Sequence, residues 1–120
     1  MERKITIGGK EYLMKSSAYT QFKYKDETGR SLLKDLTQLG SKFSNVKEEN
    51  ILDNYDELND FIITTLRIAY IMSMEAKSFT GRFEDYLMEI DNYLDNADWI
   101  SEVIELAISP LSGNLQAIKK

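Results

Sequence analysis

Lys4-Ile5-Thr6-Ile7-Gly8-Gly9-Lys10-Glu11-Tyr12-Leu13-Met14 is two alternating runs joined by Gly-Gly. Alternation of apolar and polar side chains at period two is the mark of a half-buried strand. Glycine at both central positions accepts the positive φ angles of a type I′ turn, whose twist matches that of the flanking strands. A two-residue loop then fixes the register: Ile7 opposite Lys10, Ile5 opposite Tyr12, Arg3 opposite Met14. One face carries Ile5, Ile7, Tyr12 and Met14, and Lys4, Thr6 and Glu11 point the other way. The chain therefore opens with a β-hairpin over residues 3–14, and Gly-Gly-Lys lacks the GxxxxGK[ST] frame of a P-loop.

Beyond it the period becomes helical. Ser16-Ser17 offers an N-cap, Ala18, Tyr19 and Phe22 begin a helical face, and Gly29 suits the end. Ser31 caps a second helix carrying Leu32, Leu33, Leu36 and Leu39 as far as Gly40, and Ser41 to Asn50 reads as a loop with a turn of helix. A third helix follows Asp53, with Tyr55, Leu58, Phe61, Ile62, Leu66, Ala69 and Met72 at helical spacing. Its stretch Phe61–Met72 covers nearly the whole circumference with apolar residues, which requires burial on all sides or a meeting with another subunit. Phe83, Leu87, Ile90 and Leu94 mark a fourth helix after a break at Phe79-Thr80-Gly81. Asp95 or Asn96 caps a fifth, with Trp99, Val103, Ile104, Ala107 and Ile108, stopped by Pro110. The expected fold is mainly α: an N-terminal β-hairpin followed by about five helices packed around a long central apolar helix. Residues 1–110 form one helical domain, and 111–120 form a flexible C-terminal tail.

The 120 residues include no His and no Cys. That removes thiolate and imidazole metal sites, disulfides, Ser-His-Asp triads and any imidazole acid or base near neutral pH. A chain of this mass exposes roughly 6,700 Å² when folded against about 20,000 Å² unfolded, enough for one core and not two. The N-terminus, Met1-Glu2-Arg3-Lys4-Ile5-Thr6, has no apolar signal-peptide core behind its charges, and Leu58–Ala76 is broken by Asp60, Arg67 and Glu75, too often to span a bilayer. Charge is uneven. Residues 1–50 carry ten Lys/Arg and seven Asp/Glu, and residues 51–120 carry five and thirteen, giving the net −5. An acidic chain with scattered lysines lacks the basic footprint of a nucleic-acid binder.

The acid-rich stretch Asp91 to Asp98 lacks the glycine and terminal glutamate of an EF-hand loop and reads as a helix end at Leu94 followed by a cap. Glu84, Asp85, Glu89, Asp91, Glu102 and Glu105 fall between apolar positions and read as a solvated face, able to steer a basic partner. The aromatics mostly fall on periodic faces and read as core. Tyr19, Tyr24, Tyr86 and Tyr93 equally suit an interface. No cofactor or metal is expected, and no enzyme activity.

The order of elements carries a resemblance. The hairpin Lys4–Tyr12, a short helix ending at Gly29, Ser31-Leu32-Leu33-Lys34-Asp35-Leu36, a long apolar helix, Phe83-Glu84-Asp85-Tyr86-Leu87 and an acidic last helix together resemble the tail assembly chaperones of long-tailed, siphovirus-type phages and prophages of Gram-positive bacteria. The resemblance spans residues 3 to about 108 and transfers no catalytic or ligand residue. It implies a non-enzymatic factor in the host cytoplasm, absent from the mature virion, which keeps the tape measure protein soluble and gives way to major tail protein. It also implies a second, longer form made by frameshifting near the final Lys119-Lys120. A structural tail or head-tail connector component retained in the virion and a small helical regulator or inhibitor are the alternatives. An unpaired hairpin edge and an all-round apolar helix favour homo-oligomers. The expected contact surface is Ile5, Ile7 and Tyr12 of the hairpin with Phe61, Ile63, Ile68, Tyr70 and Ile71 of the third helix. Neither nucleic acid nor membrane is expected as a partner.

Overall fold

The structure, a computed structural model, describes residues 1–45 and 55–111, with side chains over 1–39 and 59–111. The described elements run β1 (Glu2–Ile7), β2 (Lys10–Lys15), α1 (Ala18–Thr28), α2 (Leu32–Asn45), α3 (Tyr55–Glu75), α4 (Phe83–Met88) and α5 (Asp98–Ile108). They form an α-rich domain with a two-stranded antiparallel sheet at its N-terminal end.

The hairpin has the expected register, with Ile5 opposite Tyr12 and Ile7 opposite Lys10. Gly8 and Gly9 sit at φ +60° and +84°, as a type I′ turn requires. Ile5, Ile7, Tyr12 and Met14 are fully buried. The sheet lies on α3 through β2 and on α5 through β1. Fully burying large side chains stabilises by roughly 1.5–3 kcal/mol each, so these four anchor a hairpin that would be marginal alone. Gly8 has a second reason to be glycine, since a Cβ there would overlap the Asp91 carbonyl, whereas nothing approaches Gly9.

Helix α1 begins at an N-cap on Ser17, whose Oγ accepts from the Tyr19 N–H, and ends at Gly29 in the left-handed region. Its inward face is not the one expected. Tyr19 and Phe22 are exposed, and Thr20 and Tyr24 are buried in their place. The cause is polar. The Ser17 and Thr20 hydroxyls donate to the two oxygens of Glu75, at 2.7 and 2.6 Å. Tyr24 donates to Asp35 at 2.6 Å. Partners waiting on α3 and α2 turn the helix, overriding its apolar spacing.

Ser31 caps α2, accepting from the Lys34 N–H. Leu32, Leu36 and Leu39 are buried and Leu33 is exposed. The helix continues past Gly40 to Asn45, where a loop was expected. The rest of that expected loop, 46–50, and the tail beyond Leu111 lie outside the described residues.

The long apolar helix at the centre is not found. Helix α3 is 21 residues long, but its first turns carry Asp56, Glu57, Asn59 and Asp60, and Thr64 and Arg67 are only half-buried. Its buried positions are Phe61–Ile62, Thr65–Leu66 and Ile68–Ser73, interrupted by the half-buried Ile63, Thr64 and Arg67. The helix touches β2 and each of the other four helices, so polar positions facing outward alternate with a short inward patch.

Helix α4 is also shorter than expected and stops at Met88, not Leu94. Ile90 is still buried, but Leu94 is 55% exposed. Asn92 adopts φ +54°, a left-handed conformation that asparagine tolerates and that a helix running on to Leu94 could not contain. Asn96 then accepts from the Asp98 N–H at 3.0 Å as α5 begins. Trp99, Ile100, Val103, Leu106 and Ala107 are buried, with Ile104 and Ile108 packed at the edge.

Gly8 and Gly9 separate the two demands on the turn. Gly9→Asn should leave the melting temperature nearly unchanged, because asparagine tolerates the positive φ. Gly8→Ala adds the overlap with Asp91 to a backbone strain of about 1–3 kcal/mol and should lower stability by at least that amount in chemical denaturation.

Candidate interaction surface

The eight residues expected at a contact surface are mostly interior. Ile5, Ile7, Tyr12, Phe61, Ile68, Tyr70 and Ile71 are buried in the chain's own core, and Ile63 is half-buried. Tyr12, Tyr70, Phe79, Phe83 and Tyr86 form a connected aromatic cluster with ring centroids 4.9–6.0 Å apart. Offset and edge-on contacts at such spacings add attraction beyond area burial. Tyr86 shares a 3.0 Å hydrogen bond with Ser73, and Tyr70 donates to the Gly81 carbonyl. Burial pushes both hydroxyls up from their ordinary pKa. The Tyr12 hydroxyl, also buried, makes no hydrogen bond with the described residues, and burial pushes it up to about 12.

What the fold leaves exposed is different. On α1, Tyr19 (53% exposed) and Phe22 (65%) hold their rings 5.8 Å apart. Phe22, Ala18, Lys25 and Leu32 line a shallow cleft between α1 and the start of α2. Lys25 of this cleft is exposed. Met88 and Leu94 are the exposed apolar residues at the other end of the sequence.

The second exposed feature is cationic. Two clefts share Arg30 and Arg67 along their walls; one adds Asp60, Phe61 and Ile63, the other Tyr70, Arg82 and Phe83. Arg30 is committed: its Nε and a terminal nitrogen grip Asp35 at 2.8 and 3.0 Å. Arg82 makes a loose exposed pair with Glu84 at 3.3 Å. Arg67 lies over the Phe83 ring, 5.6 Å from its centroid. Among the described residues, no carboxylate lies within ion-pairing distance of it. Sequence reasoning missed this cluster, although Arg67 was visible as the lone cation inside Phe61–Met72.

Of the acids expected on a solvated face, Glu84, Asp85, Asp91 and Glu105 are exposed. Glu89 and Glu102 are half-buried and paired, Glu89 with Lys10 and Glu102 with Arg3, which also reaches Glu105. Arg82 donates its backbone N–H to Asp85 at the start of α4. Among the described residues no group of acids is arranged to hold a metal ion, and no helix is long and apolar enough to cross a membrane.

Asp35 is the one buried ionised group of this region. Burial alone pushes its carboxyl up, but hydrogen bonds from Arg30 and Tyr24, with the charges of Arg30 and Arg67, outweigh that and hold it below its usual range. A depressed folded-state pKa means that the network stabilises fully at neutral pH. That stability is lost as pH falls below the unfolded carboxyl value, near 4, and through the folded one. Asp35→Asn should therefore cost about 1–3 kcal/mol at pH 7, discounted because Arg30 is half-exposed, and should flatten the acid limb of a pH-stability curve. An unchanged acid limb would show that Asp35 does not titrate with folding.

Set against known proteins, the chain matches no family model, and no curated protein or solved structure gives a match.

Proposed function

We propose that the chain is a non-enzymatic tail assembly chaperone of a long-tailed phage or prophage. It binds the long helical tape measure protein in the host cytoplasm and keeps it soluble until major tail protein assembles around it. The reading rests on the order of elements described above, from the hairpin to the acidic last helix. It is supported by an inventory empty of His and Cys. The observation that carries it is the Tyr19–Phe22 pair, two large rings held in water beside the cleft lined by Leu32. Aromatic rings supply much contact area at little entropy cost and recur at the centres of protein interfaces. An amphipathic helix laid across α1 would cover them, and Lys25 would meet acids on its polar edge.

The chain should raise the soluble fraction of the long helical protein encoded beside its own gene, and the two should co-purify. Tyr19→Ser with Phe22→Ser should abolish both effects. Exposed substitutions change stability by no more than about 0.5 kcal/mol, so the melting temperature should stay the same. No effect of the wild-type chain on the partner's solubility would refute the reading, and purified virions containing the chain would favour a structural tail component.

A further inference from the structure

Three arginines from three places in the fold line one cleft of about 470 Å³: Arg30 from the turn between α1 and α2, Arg67 from α3, and Arg82 just before α4. Its single acid is Glu27, exposed and 3.8 Å from Lys23. The neighbouring cleft shares Arg30 and Arg67 but adds Asp35 and Asp60. An anion is therefore drawn to the first cleft and repelled by the carboxylates of the second.

The three guanidiniums are not equally free. Arg30 grips both oxygens of Asp35. Arg82 pairs only with Glu84, and both side chains are so exposed that water and salt screen the pair. Arg67 is half-buried, yet no carboxylate lies within ion-pairing distance of it among the described residues. Its charge acts on Asp35, but the Asp35 oxygens are bonded to Arg30 and Tyr24. The Phe83 ring, 5.6 Å away, attracts the guanidinium without cancelling its charge. The hydroxyls of the lining are taken. Thr28 donates to the Tyr24 carbonyl and accepts from the Arg30 N–H, and Tyr70 donates to the Gly81 carbonyl. What is left for a ligand is two guanidinium forks and the side of an aromatic ring. Such donors select an oxyanion, and two free cations match the double charge of a phosphate better than the single charge of a carboxylate.

We propose that the Arg67 cleft binds a phosphate dianion, either inorganic phosphate or the monoester of a small molecule whose organic part rests on Phe83. Arg67 and Arg82 hold the oxygens, and Arg30, tied to Asp35, adds charge at fixed position. The site is independent of the chaperone reading, since neither Tyr19 nor Phe22 lines it.

Amide chemical-shift titration of the full chain at constant ionic strength tests it, with phenyl phosphate, inorganic phosphate and acetate as probes. Phenyl phosphate should saturate in the millimolar range and move the amides of residues 27–30, 67–70 and 81–83. Acetate, with one charge, should bind roughly tenfold more weakly. Inorganic phosphate separates the two sources: binding weaker than that of the ester assigns a monoester, and binding at least as tight assigns free phosphate. Arg82→Gln alters an exposed side chain, so it should keep the wild-type melting temperature while weakening phenyl phosphate several-fold. Arg67→Gln should weaken it by roughly tenfold or more, the loss of a charge-assisted pair of hydrogen bonds. Should Arg67→Gln fail to fold, Arg82→Gln alone decides. A wild-type chain with no saturable shifts overturns the proposal. So do shifts confined to other segments, acetate binding as tight as phenyl phosphate, or an affinity that Arg82→Gln leaves unchanged.

Discussion

The buried face of the β-hairpin, Ile5, Ile7, Tyr12 and Met14, is the constraint on which the remaining packing depends. A two-stranded ribbon does not hold its shape in water without a surface to cover it. Here β2 lies on α3 and β1 on α5, so the first fifteen residues tie together two helices far apart in sequence. The same face reaches α4, because Tyr12 stacks 4.9 Å from Tyr86, which bonds Ser73 of α3. The turn adds a fourth tie, with Gly8 against the Asp91 backbone and Lys10 paired with Glu89. An element unstable alone thus becomes the shared floor of the core.

The two helices after the hairpin are held by polar contacts as well as by the buried Tyr24, Leu32, Leu36 and Leu39. Glu75, at the end of α3, accepts from Ser17 and Thr20 at the start of α1. There its charge also favours the positive end of that helix. Asp35 joins α1 to α2 through Tyr24 and gathers Arg30 from the turn between them. These bonds fix the rotation of α1 and so decide which side chains it shows. Tyr19 and Phe22 face water because Thr20 and Tyr24 have better partners inside. The exposed aromatic pair, the feature with the clearest claim to partner binding, is a consequence of buried hydrogen bonds elsewhere.

This is also why the sequence told some parts of the fold and not others. The hairpin register could be read because period two, a Gly-Gly turn and one apolar face all agree. The caps at Ser17, Gly29 and Ser31 could be read because capping chemistry is local. The rotation of α1 could not, since it depends on Glu75 and Asp35, 58 and 11 residues away in sequence from their α1 partners. That no helix runs on to Leu94 was hidden for the same reason: Asn92 turns left-handed where the hairpin turn packs on Asp91. Apolar richness in Phe61–Met72 suggested a helix buried all round, but Thr64 and Arg67 open one side of it toward the arginine-lined clefts. Which side chains stay exposed was the least legible, because exposure depends on everything packed beneath.

If the hairpin is the shared floor of the core, it has no independent opening, and native-state hydrogen exchange measures this directly. The account predicts that the cross-strand amides of β1 and β2 exchange with the same free energy as the Ile68–Met72 amides of α3, and that both equal the global unfolding free energy. Hairpin amides that exchange at a clearly lower free energy, while α3 stays protected, would contradict it.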